Sequence, residues 1–212
     1  MAKGSVPSAV INRLCLYHRC LEEIRGAEGG KDKLNYVSSS KIAAMTGINP
    51  AQIRKDLTYF GEFGKRGKGY PAVDLLRELE KILGLDRKWS VIIAGAGNLG
   101  KALVRYKGFS SRGFLIEGIF DQDPLKIGKK IGHIFIYDVK EMDKFIRAKD
   151  IDIGVLVVPA QSAQEVAEKM VEGGIKAILN FAPARIDLPK KIRIHNVDLS
   201  FEFEELTYYL SQ

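Results

Sequence analysis

Residues 89–100 read Trp-Ser-Val-Ile-Ile-Ala-Gly-Ala-Gly-Asn-Leu-Gly, and this stretch decides the fold of the chain. Its first six residues predict a buried β-strand, because a short apolar run of this kind is typical of one. The next six, Gly95-Ala96-Gly97-Asn98-Leu99-Gly100, have the spacing G-x-G-x-x-G and lead into a helix. Between a strand and a helix, this motif indicates a dinucleotide site, with the pyrophosphate at the helix N-terminus. The alternative is a turn that needs its glycines only for packing.

A carboxylate follows the motif at the distance expected for a ribose-binding group. A second strand is predicted over residues 114–120, and it leads into Asp121, 21 positions after Gly100. Asp121 would accept hydrogen bonds from the ribose hydroxyls and repel a 2′-phosphate. Asp123 adds negative charge and the nearest cation is Lys126, so the sequence favours NAD(H) over NADP(H).

Strands and helices alternate through the rest of the chain. Strands are predicted at residues 134–137, 153–158, 177–180 and 193–196, and helices at 140–148 and 162–172. This alternation predicts an α/β fold with a doubly wound parallel sheet of the Rossmann type, which binds ligands at the carboxyl ends of its strands. Two such ends are mostly apolar and are candidates for a nicotinamide pocket, unless they only pack: Val158-Pro159-Ala160 and Asn180-Phe181-Ala182-Pro183.

The chain has 212 residues and a net charge of +7, and nearly all of the excess lies in its first third. Residues 1–70 contain 12 Lys and Arg against 6 Asp and Glu, whereas residues 71–212 contain 21 against 20. A basic segment beside a neutral one indicates a polyanionic partner, the alternative being a solvated basic surface. No apolar run approaches the ~18 residues of a membrane span. Because there is no signal-peptide core and no zinc-like pattern of cysteines, we expect a cytoplasmic, reduced chain without a metal.

Three helices are predicted in this basic third. Apolar residues at positions 10, 14, 17, 21 and 24 form one helical stripe that ends at Gly26. The serines at 38–40 are N-caps for a second helix that stops at Gly47, and Asn49-Pro50 begin a third helix that runs to about Phe60. Two short helices joined by a glycine-containing turn form a helix-turn-helix unit, whose second helix enters the major groove of DNA.

Side chains suited to DNA lie on the second and third of these helices and on a hairpin that follows. Glutamine can read adenine, and arginine can read guanine or hold phosphate. Residues 60–70 place aromatics around a Gly- and Lys-rich tip, which predicts a β-hairpin wing beside the DNA backbone or in a minor groove. The candidate DNA-binding residues are Ser39, Lys41, Gln52, Arg54, Lys55, Lys65, Arg66 and Lys68. The order of elements favours a winged-helix domain over an ordinary small helical domain.

Three segments follow from these patterns. A further helix over residues 72–83 ends at Gly84, so we expect a winged-helix DNA-binding domain at 1–84 and a Rossmann domain at 85–197. Residues 198–212 contain a last helix with apolar residues on several faces. Such a helix has to be buried on more than one side, which indicates a partner subunit that exchanges this helix.

Catalytic groups are sparse in this sequence. The Rossmann segment leaves no second domain for a substrate, and the only arguable acid–base pair is His195 near Asp198. A structural histidine is the better interpretation there. A dinucleotide site without catalytic groups is typical of a sensor rather than an enzyme.

The chain resembles the Rex family of redox-sensing transcriptional repressors over essentially its whole length. Three stretches carry the resemblance: residues 54–70 (Arg-Lys-Asp-Leu-Thr-Tyr-Phe-Gly-Glu-Phe-Gly-Lys-Arg-Gly-Lys-Gly-Tyr), the glycine motif, and residues 174–185. The resemblance implies a homodimer with a winged helix, a Rossmann core and a domain-swapped C-terminal helix. It implies that the dimer binds a palindromic operator and represses fermentative and respiratory genes while NADH is low. It also implies a coupling network of Arg13, Tyr106 and Asp198, and the one departure is a longer loop at 26–35.

The chemistry of nicotinamide agrees with that resemblance. Oxidised nicotinamide is a cation and reduced nicotinamide is neutral, so an apolar pocket disfavours NAD⁺ and favours NADH. Only a difference in affinity between the DNA-binding and released states can switch a repressor. Three alternatives stay open: a small NAD-dependent oxidoreductase, an NAD-gated regulatory subunit of a transporter, and a CoA-binding module.

Overall fold

The computed structural model describes residues 6–27, 36–65 and 67–212, and the chain divides into two units, residues 1–87 and 88–212. Most of the longer loop predicted at 26–35, and the candidate Arg66, lie outside the described residues. Among the described helices, none has both the length and the apolar character needed to cross a bilayer.

In the described part of the first unit, four helices pack with a small sheet. The predicted apolar stripe lies on α1 (Ser8–Ala27), and all five of its residues are buried. It packs with α2 (Ser39–Thr46), α3 (Pro50–Thr58) and α4 (Ala72–Leu83) around one apolar core. The predicted caps are confirmed, because the Ser38 and Asn49 side chains accept hydrogen bonds from backbone amides of α2 and α3. Gly47 and Gly84 end α2 and α4 with φ of +71° and +68°.

The hairpin wing is smaller than predicted. Its tip is closed by one bridge, in which the amide of Lys65 donates to the Gly69 carbonyl at 2.8 Å and the Gly69 amide donates to the Lys65 carbonyl at 3.1 Å. The returning strand β2 (Tyr70–Pro71) pairs antiparallel with β1 (Tyr36–Val37) instead of with residues 60–63. The reason is close backbone packing, since Gly69 has φ of +89° and a Cβ there would press on the Val37 carbonyl.

The second unit contains the predicted doubly wound sheet. Its strands are β3 (Trp89–Ala94), β4 (Phe114–Asp121), β5 (Lys130–Ile131), β6 (Ile134–Asp138), β7 (Ile153–Leu156), β8 (Ala177–Asn180) and β9 (Arg193–Asn196). They lie in the order β5-β6-β4-β3-β7-β8-β9 and pair in parallel, except for the unpredicted β5, which is antiparallel to β6. The order reverses between β3 and β7, where such sheets open a ligand crevice.

The helices of this unit cover the sheet unequally. They are α5 (Asn98–Arg105), α6 (Met142–Lys149), α7 (Ala160–Gly173) and α8 (Leu199–Leu210). Helices α6 and α7 pack together and bury Met142, Ile146, Ala163, Ala167 and Met170 against one face. On the other face, residues of β3, β4, β7 and β8 line an entirely apolar groove of about 270 Å³.

A buried charge joins two helices of the first unit. The Asp56 side chain on α3 is fully buried, and Arg13 on α1 donates to it from Nε at 2.6 Å and from Nη2 at 2.8 Å. The Tyr17 hydroxyl donates to the same carboxylate at 2.8 Å. Burial works to raise the pKa of Asp56, but hydrogen bonds from Arg13, Tyr17 and Gln52 outweigh it and hold the pKa below its ordinary value. Asp56 is therefore ionised at neutral pH.

Asp56→Asn should lower the free energy of unfolding at pH 7 by about 2–4 kcal/mol, because the partly exposed Arg13 loses its counter-charge. The stabilisation from the lowered pKa is present above the unfolded-state value of about 3.9 and is lost as the pH falls through the folded-state value. Urea unfolding followed by helical circular dichroism at pH 7 and at lower pH measures both effects. Asp74→Asn, at an exposed position in α4, is the control, and equal losses in the two variants would contradict the assignment.

Candidate functional site

Two glycines of the motif at 95–100 are required by backbone packing. Gly95 has φ of +110°, and a Cβ on it would overlap the carbonyl oxygen of Val157, just after β7. A Cβ on Gly100 would overlap the carbonyl oxygen of Gly95. These contacts set the first turn of α5 against the carboxyl ends of β3 and β7.

The middle glycine of the motif, Gly97, leaves space for a ligand. Gly97 is the N-cap residue of α5, no side chain caps this helix, and a Cβ on Gly97 would meet nothing within 4 Å. Gly97, Asn98 and Leu99 line a cleft of about 500 Å³. A helix N-terminus with open backbone around it suits a pyrophosphate, because its amide groups and the helix dipole favour negative charge.

Asp121 lies in the same cleft and is held by the glycine loop. Its Oδ2 atom accepts the amide of Ala96 at 2.8 Å and the ammonium of Lys126 at 3.0 Å, and its Oδ1 accepts the amide of Asp123 at 2.9 Å. Burial works to raise the pKa of Asp121, but these hydrogen bonds prevail and lower it. Lys126, the cation that follows these aspartates in the sequence, is paired with both Asp121 and Asp123.

The apolar wall of the cleft comes from the end of β7. Val157, Val158 and Pro159 line it, and the nicotinamide contact expected of the last two stays a prediction. Sequence reasoning missed a polar part of the lining, which comes from three residues of α7: Ser162, Glu165 and Lys169. Their spacing on one face of the helix that follows the Val-Pro-Ala turn is the signal that could have found them.

The second predicted strand end does not line this cleft. Asn180 is buried, with its amide nitrogen 3.2 Å from the Ala184 carbonyl and 2.9 Å from Oδ1 of Asn196, and its own Oδ1 accepts the Ala182 amide. Phe181 packs on the apolar core next to β3 and β4, and Pro183 is exposed. In this single chain, residues 180–183 therefore build a turn beside β9.

Most of the candidate DNA-binding residues lie on α2 and α3. Arg54 donates from Nη1 to the Ser39 hydroxyl at 3.0 Å, which holds its guanidinium beside the first turn of α2. Lys41 and Lys55 are exposed. Gln52 is half-buried and donates from Nε2 to Oδ1 of Asp56 at 2.7 Å. Lys65 and Lys68 are exposed on the wing.

Each of the three predicted coupling residues has its own local contact. Arg13 is engaged by Asp56, as described above. Tyr106 is 61% exposed and meets the ring of Phe109 edge-on. Asp198 caps α8 by accepting the amide of Ser200.

The last helix presents its apolar side chains to solvent. All residues of α8 are exposed. The exposed large apolar residues are Leu199, Phe201, Phe203, Leu206, Tyr208, Tyr209 and Leu210.

Comparison with known proteins gives a separate family match for each of the two units. The family described as "Putative DNA-binding protein N-terminus" matches residues 5–58, and the family described as "CoA binding domain" matches residues 86–184. The chain is 49% identical to a protein of Pelotomaculum thermopropionicum named redox-sensing transcriptional repressor Rex, over 98% of this chain and 95% of that protein. A protein of the same name from Syntrophobacter fumaroxidans is 41% identical over 100% and 99% of the two chains.

Two solved structures are similar over nearly the whole chain. RSP in complex with β-NAD⁺ and operator DNA gives a TM-score of 0.91 at 41% identity, covering 98% of this chain and 93% of that one. RSP in complex with β-NADH gives a TM-score of 0.87 at 40% identity, covering 98% and 95%. RSP itself is described as a Rex-family repressor.

Gly97→Ala should weaken binding of NADH by about tenfold or more and lower the melting temperature only slightly, because its methyl group would enter only the open cleft and the N-cap changes from glycine to alanine. Gly100→Ala is the contrasting variant, and it should lower the melting temperature, since its methyl group would collide with the backbone at Gly95. Calorimetric titration and thermal unfolding of both variants provide the measurements. Full binding by a folded Gly97→Ala protein would rule out this cleft as the dinucleotide site.

Proposed function

This chain belongs to the Rex family of redox-sensing transcriptional repressors, and we propose that it binds operator DNA while NADH is low and releases it when NADH binds. The first unit supplies the DNA-binding surface, and the cleft at the end of β3 binds the dinucleotide. The observation that carries this proposal is the likeness of nearly the whole chain to RSP with NAD⁺ and operator DNA and to RSP with NADH. Both ligands have a matching surface here, one in each unit.

Within this proposal, the cofactor residues are those of the glycine motif, Asp121, and the apolar strand end at Val158 and Pro159. Residues 180–183, although outside the cleft of the single chain, remain part of the proposed nicotinamide environment. Apolar surroundings bind neutral reduced nicotinamide better than the oxidised cation, which supports NADH as the releasing ligand. Asp121 favours NADH over NADPH, because its carboxylate repels a 2′-phosphate and it also holds Lys126.

The protein acts as a homodimer in this proposal. The exposed apolar side chains of α8 and the apolar groove on the sheet each need a cover, and a second copy of the chain supplies both. Residues 198–212 then form an exchanged dimerisation helix, which is a third segment in addition to the DNA-binding domain (1–84) and the Rossmann domain (85–197). The exchange also brings Asp198 toward Arg13 and Tyr106 of the other subunit, which couples NADH binding to the spacing of the two DNA-binding domains.

The protein is a sensor in the cytoplasm and not an enzyme under this proposal. The proposal gives the arguable pair of His195 and Asp198 a structural role, because His195 lies in β9 and Asp198 caps α8. An oxidoreductase would be recognised by turnover of NADH, an NAD-gated transporter subunit by the lack of a DNA footprint, and a CoA-binding module by displacement of NADH with CoA.

A titration of DNA binding with each form of the cofactor tests the proposal. The probe is a duplex selected from a randomised library by the full-length chain in the presence of NAD⁺. NADH should weaken binding of this duplex by about tenfold or more, because release requires a difference in affinity of that order. NAD⁺ at the same concentration is the control and should leave binding intact. Equal effects of NADH and NAD⁺, measured by fluorescence anisotropy, would contradict redox sensing.

Deleting residues 198–212 should give monomers that still bind NADH but bind a palindromic duplex poorly, because one winged helix contacts one half-site. Phe203→Glu should weaken the dimer in the same direction by placing a charge in its apolar contact. Glu205→Gln, at another exposed position of α8, is the matched control. Sedimentation velocity measures the assembly. A truncated chain that remains a dimer and still releases DNA on adding NADH would refute this role for α8.

A further inference from the structure

Gln52 is held in place by the buried carboxylate on its own helix. It occupies the first turn of α3, and its Nε2 atom lies 2.7 Å from Oδ1 of Asp56, one turn further along. Arg13 and Tyr17 donate to the same carboxylate, so four hydrogen bonds fill its acceptor sites. Because these hydrogen bonds lower the pKa of Asp56 despite its burial, the carboxylate is ionised and can only accept.

The ionised carboxylate of Asp56 determines the orientation of the Gln52 side-chain amide. Only the NH₂ group of Gln52 can donate to Asp56, since the amide carbonyl would face a negative charge. This assignment follows from the hydrogen-bond network rather than from the shape of the side chain. The carbonyl oxygen of Gln52 is consequently directed away from Asp56, and one N–H of the amide remains to donate elsewhere.

We propose that Gln52 reads an adenine in the major groove through this remaining edge of its amide, and that Asp56 is the positioning residue that orients it. The inference rests on the proposed function, because it needs α3 to enter the groove. Adenine presents the N6 donor beside the N7 acceptor, and an amide carbonyl with its N–H complements both. The first turn of the second helix in a helix-turn-helix is the part nearest the base edges.

Arg54 has a different position on the same helix. Its guanidinium bonds to Ser39 at the first residue of α2, where a helix N-terminus also favours a phosphate. A phosphate contact carries no sequence information. The different partners of Arg54 and Gln52 thus favour a backbone contact at Arg54 and a base contact at Gln52.

Selection from a randomised duplex library, followed by sequencing, tests this inference with the full-length chain in the absence of NADH. Wild type should enrich a two-fold symmetric sequence with a required adenine in each half-site. Gln52→Ala should lose the preference at that position alone, and its affinity for the duplex selected by wild type should fall by about tenfold. Lys68→Ala is the control from the wing, and it should weaken binding to all sequences alike while the adenine stays selected.

Asp56→Asn tests positioning, at a temperature where its helical circular dichroism equals that of wild type. An asparagine can offer its own N–H to Gln52, so the fixed orientation is lost and the adenine preference should weaken even though Gln52 is present. If wild type selects no sequence at all, the proposed function fails. If wild type selects a sequence but Gln52→Ala selects the same one, or loses a guanine or cytosine instead, the adenine contact is wrong.

Discussion

At Gly95, the backbone after β3 lies against the backbone after β7 with no room for a side chain between them. The same restriction recurs at Gly100, where α5 rests on the Gly95 carbonyl. These two contacts determine where the N-terminus of α5 points, and with it the floor of the cleft. The Ala96 amide within this turn then donates to Asp121, so the carboxylate proposed to bind ribose is oriented by the loop proposed to receive the pyrophosphate. The lack of room for a side chain at Gly95 and Gly100 thus places the Ala96 amide and, through it, the Asp121 carboxylate.

The first unit is organised by charge rather than by close backbone contact. Asp56 is an acid at a fully buried position, which is costly unless its partners satisfy it. Arg13, Tyr17 and Gln52 provide those partners, and two of them come from a different helix. The apolar core around Leu14 and Ile53 brings α1 and α3 together, while the ion pair fixes their rotation relative to one another. Apolar contacts alone tolerate small shifts, whereas a bidentate pair does not.

The elements that sequence predicted well are those with local signals. Ser38, Asn49 and Gly84 act within one turn of their own position, so their residue type is enough to place a helix end. The strand, the glycine motif and Asp121 follow one another within residues 89–121, so their spacing can also be read directly from the sequence. The burial of Asp56 was not predicted, because its main partners lie 39 and 43 positions away and the residue reads as one more charge on an exposed helix. The wing was predicted to be longer than it is for a related reason. Its returning strand β2 pairs with residues 36–37, which are distant in sequence, and not with residues 60–63.

The ion pair between α1 and α3 also bears on how this surface can change during evolution. At nine residues, α3 is shorter than the ~12–15 residues at which isolated helices become marginally stable in water. Its orientation is specified from α1, by side chains at positions 13 and 17. A substitution at either position alters what α3 presents without touching α3 itself. Positions 13, 17, 52 and 56 therefore act as one hydrogen-bonded unit, and we expect α3 grafted between relatives to keep its orientation only when the matching α1 residues are grafted with it.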